Sequence, residues 1–306
     1  MKKLLAVLLA LVLCLSFLAA CDQGKGGGND KDALYTRVDA DGKQDADGDY
    51  ILFGEYPQTL MANGVTLTSR EQDENGYYLG SDGARYAEVF ADPRGEGYTF
   101  SSGGAIEDGT QYFFKVEPIR WRILAEEKGS LFLLCDSIIA NQKYNATPSN
   151  NYAESDIRAW LNEEFYNTAF DALQKELIQT VTVQNGASTT GYETNDYATD
   201  DTNDKVFLLS YEEATTAAYG FSADATAFDP ARRKTVSDYA RATGAWMVTS
   251  DLLEMHHGNG WWLLRSPSNA GAFGARGIDG AGAVGNSTIV SLTENGVVPA
   301  LQIRFE

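Results

Sequence analysis

A length of 306 residues allows one large domain or two ordinary ones, and a composition of 43% apolar and 22% charged residues excludes wholesale disorder. The 24 Lys and Arg against 43 Asp and Glu leave a formal net charge of −19. Nucleic-acid backbones are bound by clustered basic side chains, and no such cluster occurs, so no nucleic-acid partner is expected.

Lys2 and Lys3 precede an apolar run over residues 4–18, the pattern of a secretion signal at 1–20. A membrane-spanning helix needs about 20 apolar residues, whereas this run stops at Ala19, Ala20 and Cys21. The tetrapeptide Leu18-Ala19-Ala20-Cys21 resembles a bacterial lipobox, whose cysteine sulfur receives a diacylglycerol and becomes the mature N-terminus. The resemblance implies lipidation of Cys21. Two or more acyl chains anchor a protein stably where one is marginal, so the chain is expected to be extracytoplasmic and held on the bacterial cell membrane by its N-terminal lipid. Cys14 leaves with the signal and Cys21 is acylated, which leaves Cys135 alone and no intramolecular disulfide. Within Leu131-Phe132-Leu133-Leu134-Cys135 the thiol reads as a small buried core group rather than a nucleophile.

Residues 21–49 are rich in Gly, Asp and Lys and read as a flexible tether. Asp39, Asp41, Asp45, Asp47 and Asp49 alternate with small residues, but Tyr50 and Tyr56 stand where an EF-hand needs its turn glycine and bidentate glutamate. A solvated acidic linker is the plainer reading. From residue 50 to 306 a single domain is expected. A first strand at 50–58, closed by Pro57, precedes a Gly- and Asp-rich insertion near 61–110 with a hairpin at 80–83. Strands at 112–117, 119–125 and 131–138 then form a meander. Ser155 caps a helix with Ile157, Trp160 and Leu161 on its inner face, and Asp171 with Gln174 forms a capping box for a second. A short strand at 181–183, an acidic loop at 186–204 and a strand at 206–209 follow. Ser210 with Glu213 caps another short helix, and a further one covers 235–243. Short strands at 261–265, 275–278, 288–292 and 297–305, separated by glycine-rich turns, complete the chain.

The strings FGEYPQT (53–59), VEPIRWRIL (116–124), SDIRAWLNEEFYNTAF (155–170), DKVFLLSYEEA (204–214), WWLLRSPSN (261–269) and VVPALQIRF (297–305) occur in this order. Together they resemble a bacterial domain family of unknown function found in surface proteins and lipoproteins, which in turn looks C-type-lectin-like. The fold this implies is α+β: a mixed sheet with paired N- and C-terminal strands, two main helices, and long irregular loops that display a binding surface. Val298 and Tyr152 depart from the family pattern, which usually has Arg and often Trp there. The same superfamily includes formylglycine-generating enzymes, but those use a cysteine pair that this chain lacks.

Trp261, Trp262 and Arg265 are candidate ligand-binding residues, because aromatic faces beside a guanidinium suit sugar rings through stacking and cation–π contact. Adjacent strand residues point to opposite faces, so one tryptophan is expected in the core, and Arg265 has an alternative as the partner of an internal carboxylate. Asn269, Arg276 and Asp279, in and beside the glycine-rich tract 271–285, complete the candidate surface. Calcium is the one cofactor the chain admits, with Asp200, Asp201 and Asp204, beside Asp196, as oxygen ligands; a solvated loop explains the same residues. His256 and His257 are adjacent and diverge, a poor zinc pair. No nucleophile elbow or phosphate-binding glycine motif occurs. The expectation is a non-catalytic, lipid-anchored surface protein that binds an extracellular glycan or protein. The alternatives are a hydrolase acting on cell-wall or other polysaccharide and a purely structural module.

Overall fold

The computed structural model describes residues 34–249 and 255–305. The expected signal segment, Cys21 and the first part of the expected tether lie outside the described residues. Residues 36–38 do not belong to a tether: β1 (Thr36–Val38) pairs antiparallel with β2 (Tyr50–Leu60), Thr36 opposite Leu52 and Val38 opposite Tyr50. The alternating aspartates serve the turns between them. Asp39 accepts the N–H groups of Asp41 and Lys43, and Asp45 accepts that of Asp47.

The segment expected as an insertion extends the sheet through β3 (Leu67–Gln72), β4 (Tyr78–Gly80) and β5 (Arg85–Phe90). It leads into β6 (Gln111–Glu127), a single strand of 17 residues where two were expected. Pro118, which lacks a donor, lies beside a register shift between Leu52 and Glu55 of β2, and a bulge tolerates that loss. Gly54 supplies the bulge with a φ of 69°, and a Cβ there would lie 2.5 Å from the Phe170 ring. β7 (Ser130–Cys135) folds back on β6 through Lys128 and Gly129, both left-handed at φ 49° and 76°, as a tight hairpin turn requires. Trp121 is consequently paired with Ile51 on one side and Cys135 on the other, and its Nε1 donates to the Phe53 carbonyl at 2.7 Å.

β8 (Ala140–Asn141) is followed by the helical region. Ser155, Asp171 and Ser210 cap as expected, the last two with full capping boxes, but the helices they start are short. α1 (Asp156–Trp160) passes into a π-helical turn at Leu161–Phe165 and then α2 (Tyr166–Ala169), which stops where Phe170 turns extended to pack its ring 5.2 Å from that of Phe53. α3 (Ala172–Leu177), α4 (Tyr211–Ala214) and α5 (Asp238–Ala242) are shorter still than that combined run. Strand accounts for 36% and helix for 16% of the structure. The expected α+β, C-type-lectin-like body with two main helices is therefore corrected to a sheet-dominated fold.

The remaining strands are β9 (Val181–Val183), β10 (Thr202–Asp204), β11 (Val206–Phe207), β12 (Trp262–Pro267), β13 (Gly274–Ile278), β14 (Val284–Ile289), β15 (Gly296–Val297) and β16 (Ala300–Arg304). The nine-stranded sheet runs β11-β16-β7-β6-β5-β4-β3, with β2 joined to β6 and β1 to β2. β16 pairs with β7, Leu301 opposite Leu133, and with β11; it does not pair with β2. The expected pairing of the terminal strands is thus also corrected, because the β6–β7 hairpin leaves the outer edge of β7 as the one that β16 completes. A five-stranded sheet, β14-β13-β12-β15-β8, carries the late strands, and β9 pairs with β10 alone. One contiguous apolar core runs from Phe53 and Trp121 in the first sheet to Trp262, Leu264 and Ile278 in the second.

Candidate binding site

The two adjacent tryptophans part as strand geometry requires. Trp262 is 1% exposed, and its Nε1 donates to the Arg232 carbonyl at 3.1 Å, so it is a core residue and not a ligand contact. Trp261 is half-buried and rests on the cross-strand pair Gly277 and Gly285. A Cβ at 285 would stand 3.0 Å from the indole Cζ3, and one at 277 would stand 3.8 Å from Cε3. Gly285 makes room for the ring, whereas a Cβ at 277 would first meet the Trp262 carbonyl at 2.9 Å. Trp246 stands nearly perpendicular to the Trp261 ring, at 84° with centroids 6.5 Å apart, and its backbone N–H donates to the Glu294 carbonyl.

The two indoles line an open cleft of about 380 Å³, completed by Ser287, Thr288, Leu292 and Glu294. It adjoins a more polar cleft of about 560 Å³ lined by Asp92, Asn141, Lys143 and Asp156. Arg94 and Glu294 line both clefts and form an ion pair of 3.0 Å between them. The arrangement is one groove with an aromatic end and a charged end. Two of its acids are engaged: Glu294 is paired with Arg94, and Asp156 accepts the Ala146 N–H at 2.7 Å.

The other expected ligand residues are elsewhere. Arg265 is 2% exposed, donates to the Leu208 and Gln184 carbonyls, and pairs with Glu213 at 2.5 Å, the internal carboxylate of the alternative reading. Asp279 accepts the Ala281 and Ala283 N–H groups and so closes the β13–β14 turn. Asn269 is exposed on the β12–β13 connection. Arg276 is 4% exposed between the rings of Tyr192 and Tyr211, and burial holds its guanidinium below the usual value. Each such ring contact contributes about 0.5–2 kcal/mol, against several kcal/mol for desolvating the ion.

The acidic loop does not converge. Asp204 is 1% exposed, bound to Arg158 at 2.7 Å and to the Thr202 hydroxyl, while Asp201 accepts the Asn185 N–H. Asp196 and Asp200 are exposed. Among the described residues no three His, Cys, Asp or Glu side chains are grouped to hold a metal ion, and His256 and His257 join no such group. Burial pushes the Cys135 thiol up to about 11, in keeping with its place in the core.

Residues 128–305 match the model of a family described as a domain of unknown function, DUF6273. The chain belongs to that family. Comparison with curated proteins and with solved structures gives no significant match. The DUF6273 span holds Trp246, Trp261, Glu294 and Arg276, and also the strings at 155–170, 204–214, 261–269 and 297–305. Asp92 and Arg94 lie before it, so the groove is built from both sides of the DUF6273 boundary. Sequence reasoning passed over Trp246, Arg94 and Glu294. They come from separate segments with no common spacing, and the only signal was the rarity of tryptophan, five in the chain.

Proposed function

We propose that this chain is a lipid-anchored, extracytoplasmic binding protein that holds a glycan in the Trp246–Trp261 groove. The observation that carries the reading is the seating of Trp261. An aromatic ring laid over a glycine pair, with a second indole perpendicular to it and hydroxyl and charged groups alongside, offers stacking to the C–H face of a sugar and hydrogen bonds to its hydroxyls. The expected lipobox at Cys21 supports placement outside the cytoplasm, where such ligands are met.

A glycan array probed with the full chain tests this, followed by tryptophan-fluorescence titration with the oligosaccharides that bind. Binding should weaken about tenfold or more in Trp246→Ala and in Trp261→Ala. Silence of the folded protein across the array, or binding untouched by both substitutions, would remove the glycan reading.

A further inference from the structure

Buried arginines in this molecule serve the backbone. Arg232 donates to the carbonyls of Gly282, Ala214, Ser222, Asp224 and Ala227, Arg241 to those of Val236 and Thr99, and Arg265 to those of Leu208 and Gln184. Arg276 is as deeply buried and does none of this. Among the described residues it donates to no carbonyl and pairs with no carboxylate, and its Nε is sealed from solvent without a partner. The guanidinium lies instead between two ring faces, 4.3 Å from the Tyr192 centroid and 4.2 Å from that of Tyr211.

We propose that Arg276, clamped between Tyr192 and Tyr211, is a binding site for an oxyanion: a carboxylate, sulfate or phosphate group of a ligand. With its carbon 4.3 and 4.2 Å from the two ring centroids, the guanidinium has its π contacts taken by the tyrosines, and the edge that carries the N–H donors is what it offers a partner. That edge suits two oxygens of one anion, bound side by side, and suits neither a cation nor an apolar group. The neighbouring titratable groups that act on Arg276 are the two tyrosines, with no Asp or Glu among them, a local exception in a chain of net charge −19. The clamp is also built in advance. Gly191, at φ 77°, admits the Tyr211 ring where any Cβ would stand 2.4 Å from it. The Tyr211 N–H donates to the Ser266 hydroxyl at 2.8 Å, which donates to the Thr189 carbonyl at 2.9 Å. Rings held in place beforehand need no ordering when the anion arrives. The site is separate from the tryptophan groove and does not depend on the glycan reading.

The test is a titration of the ¹⁵N-labelled full chain, followed at the arginine Nε–Hε resonances, with sodium acetate, glucuronate, sulfate and phosphate in separate arms and sodium chloride at matched ionic strength as control. The Arg276 resonance is the one missing from Arg276→Lys; should that variant fail to fold, the wild-type resonance is assigned through its own backbone. A saturable shift of the Arg276 signal is expected with at least one oxyanion and not with chloride, and the responding arm names the group. Tyr192→Leu should weaken that binding about threefold or more. No saturable shift in any arm overturns the proposal, as does a saturable shift confined to other arginines.

Discussion

Trp261 and Trp262 differ by one position, and their replacement should separate folding from binding. Trp262→Ala empties a core site that is 1% exposed and leaves the Arg232 carbonyl without its indole donor. Large aromatic-to-alanine changes in cores cost about 3–5 kcal/mol, and the lost hydrogen bond adds about 1 kcal/mol. Trp261→Ala removes a half-buried ring that meets Trp246 and the glycine pair, a loss of about 1–2 kcal/mol. Against a native stability of about 5–15 kcal/mol, the first change is a large share of the whole and the second is not. In a chain of this size 1 kcal/mol moves Tm by about 2–4 °C, so Trp262→Ala should lower it by about 10–20 °C and Trp261→Ala by under about 8 °C. Urea titration followed by circular dichroism reads both losses, with unchanged slopes confirming that the comparison is between like transitions. Equal losses in the two variants would refute the division between a core indole and a groove indole.

The raised Cys135 thiol makes stability fall at alkaline pH: the unfolded thiol ionises near 9.0 and the folded one only near 11, so the contribution is complete below 9.0 and gone above about 11. It is worth about 3 kcal/mol, and Cys135→Ala should flatten that part of a urea-midpoint profile against pH. Asp204→Ala should cost about 1–3 kcal/mol in thermal unfolding, because it leaves the buried Thr202 hydroxyl without its acceptor and removes the partner of the partly exposed Arg158. Trp160→Phe should be close to neutral in the same assay or raise Tm slightly, since the Trp160 Nε1 is buried without an acceptor and its loss removes an unsatisfied donor.

Local chemistry was legible in the residues. The caps at Ser155, Asp171 and Ser210 are set by neighbours within a few positions, and each is found as read. What depended on distant partners was not. Pro118 reads as a strand end, and only the bulge at Gly54, far off in the chain, lets β6 run through it. β3 carries no buried alternation, its residues being exposed beyond Leu67, so pairing to β4 and not a hydrophobic face makes it a strand. Part of the candidate surface is engaged inside the fold for a related reason. Arg265 and Asp279 carry the right chemistry but are engaged by Glu213 and by a turn, and neither engagement can be seen without the fold. The groove was missed at Arg94 and Trp246 because its walls converge from segments with no shared pattern.

The long strand β6 ends at Glu127, one residue before the family span begins. Cutting the chain at that boundary would strip β7 of its hairpin mate and open the apolar flank formed by Leu131 and Leu133. The matched portion is therefore expected not to fold by itself, and exchanging the preceding segment for another would rebuild one bank of the groove while keeping its indoles.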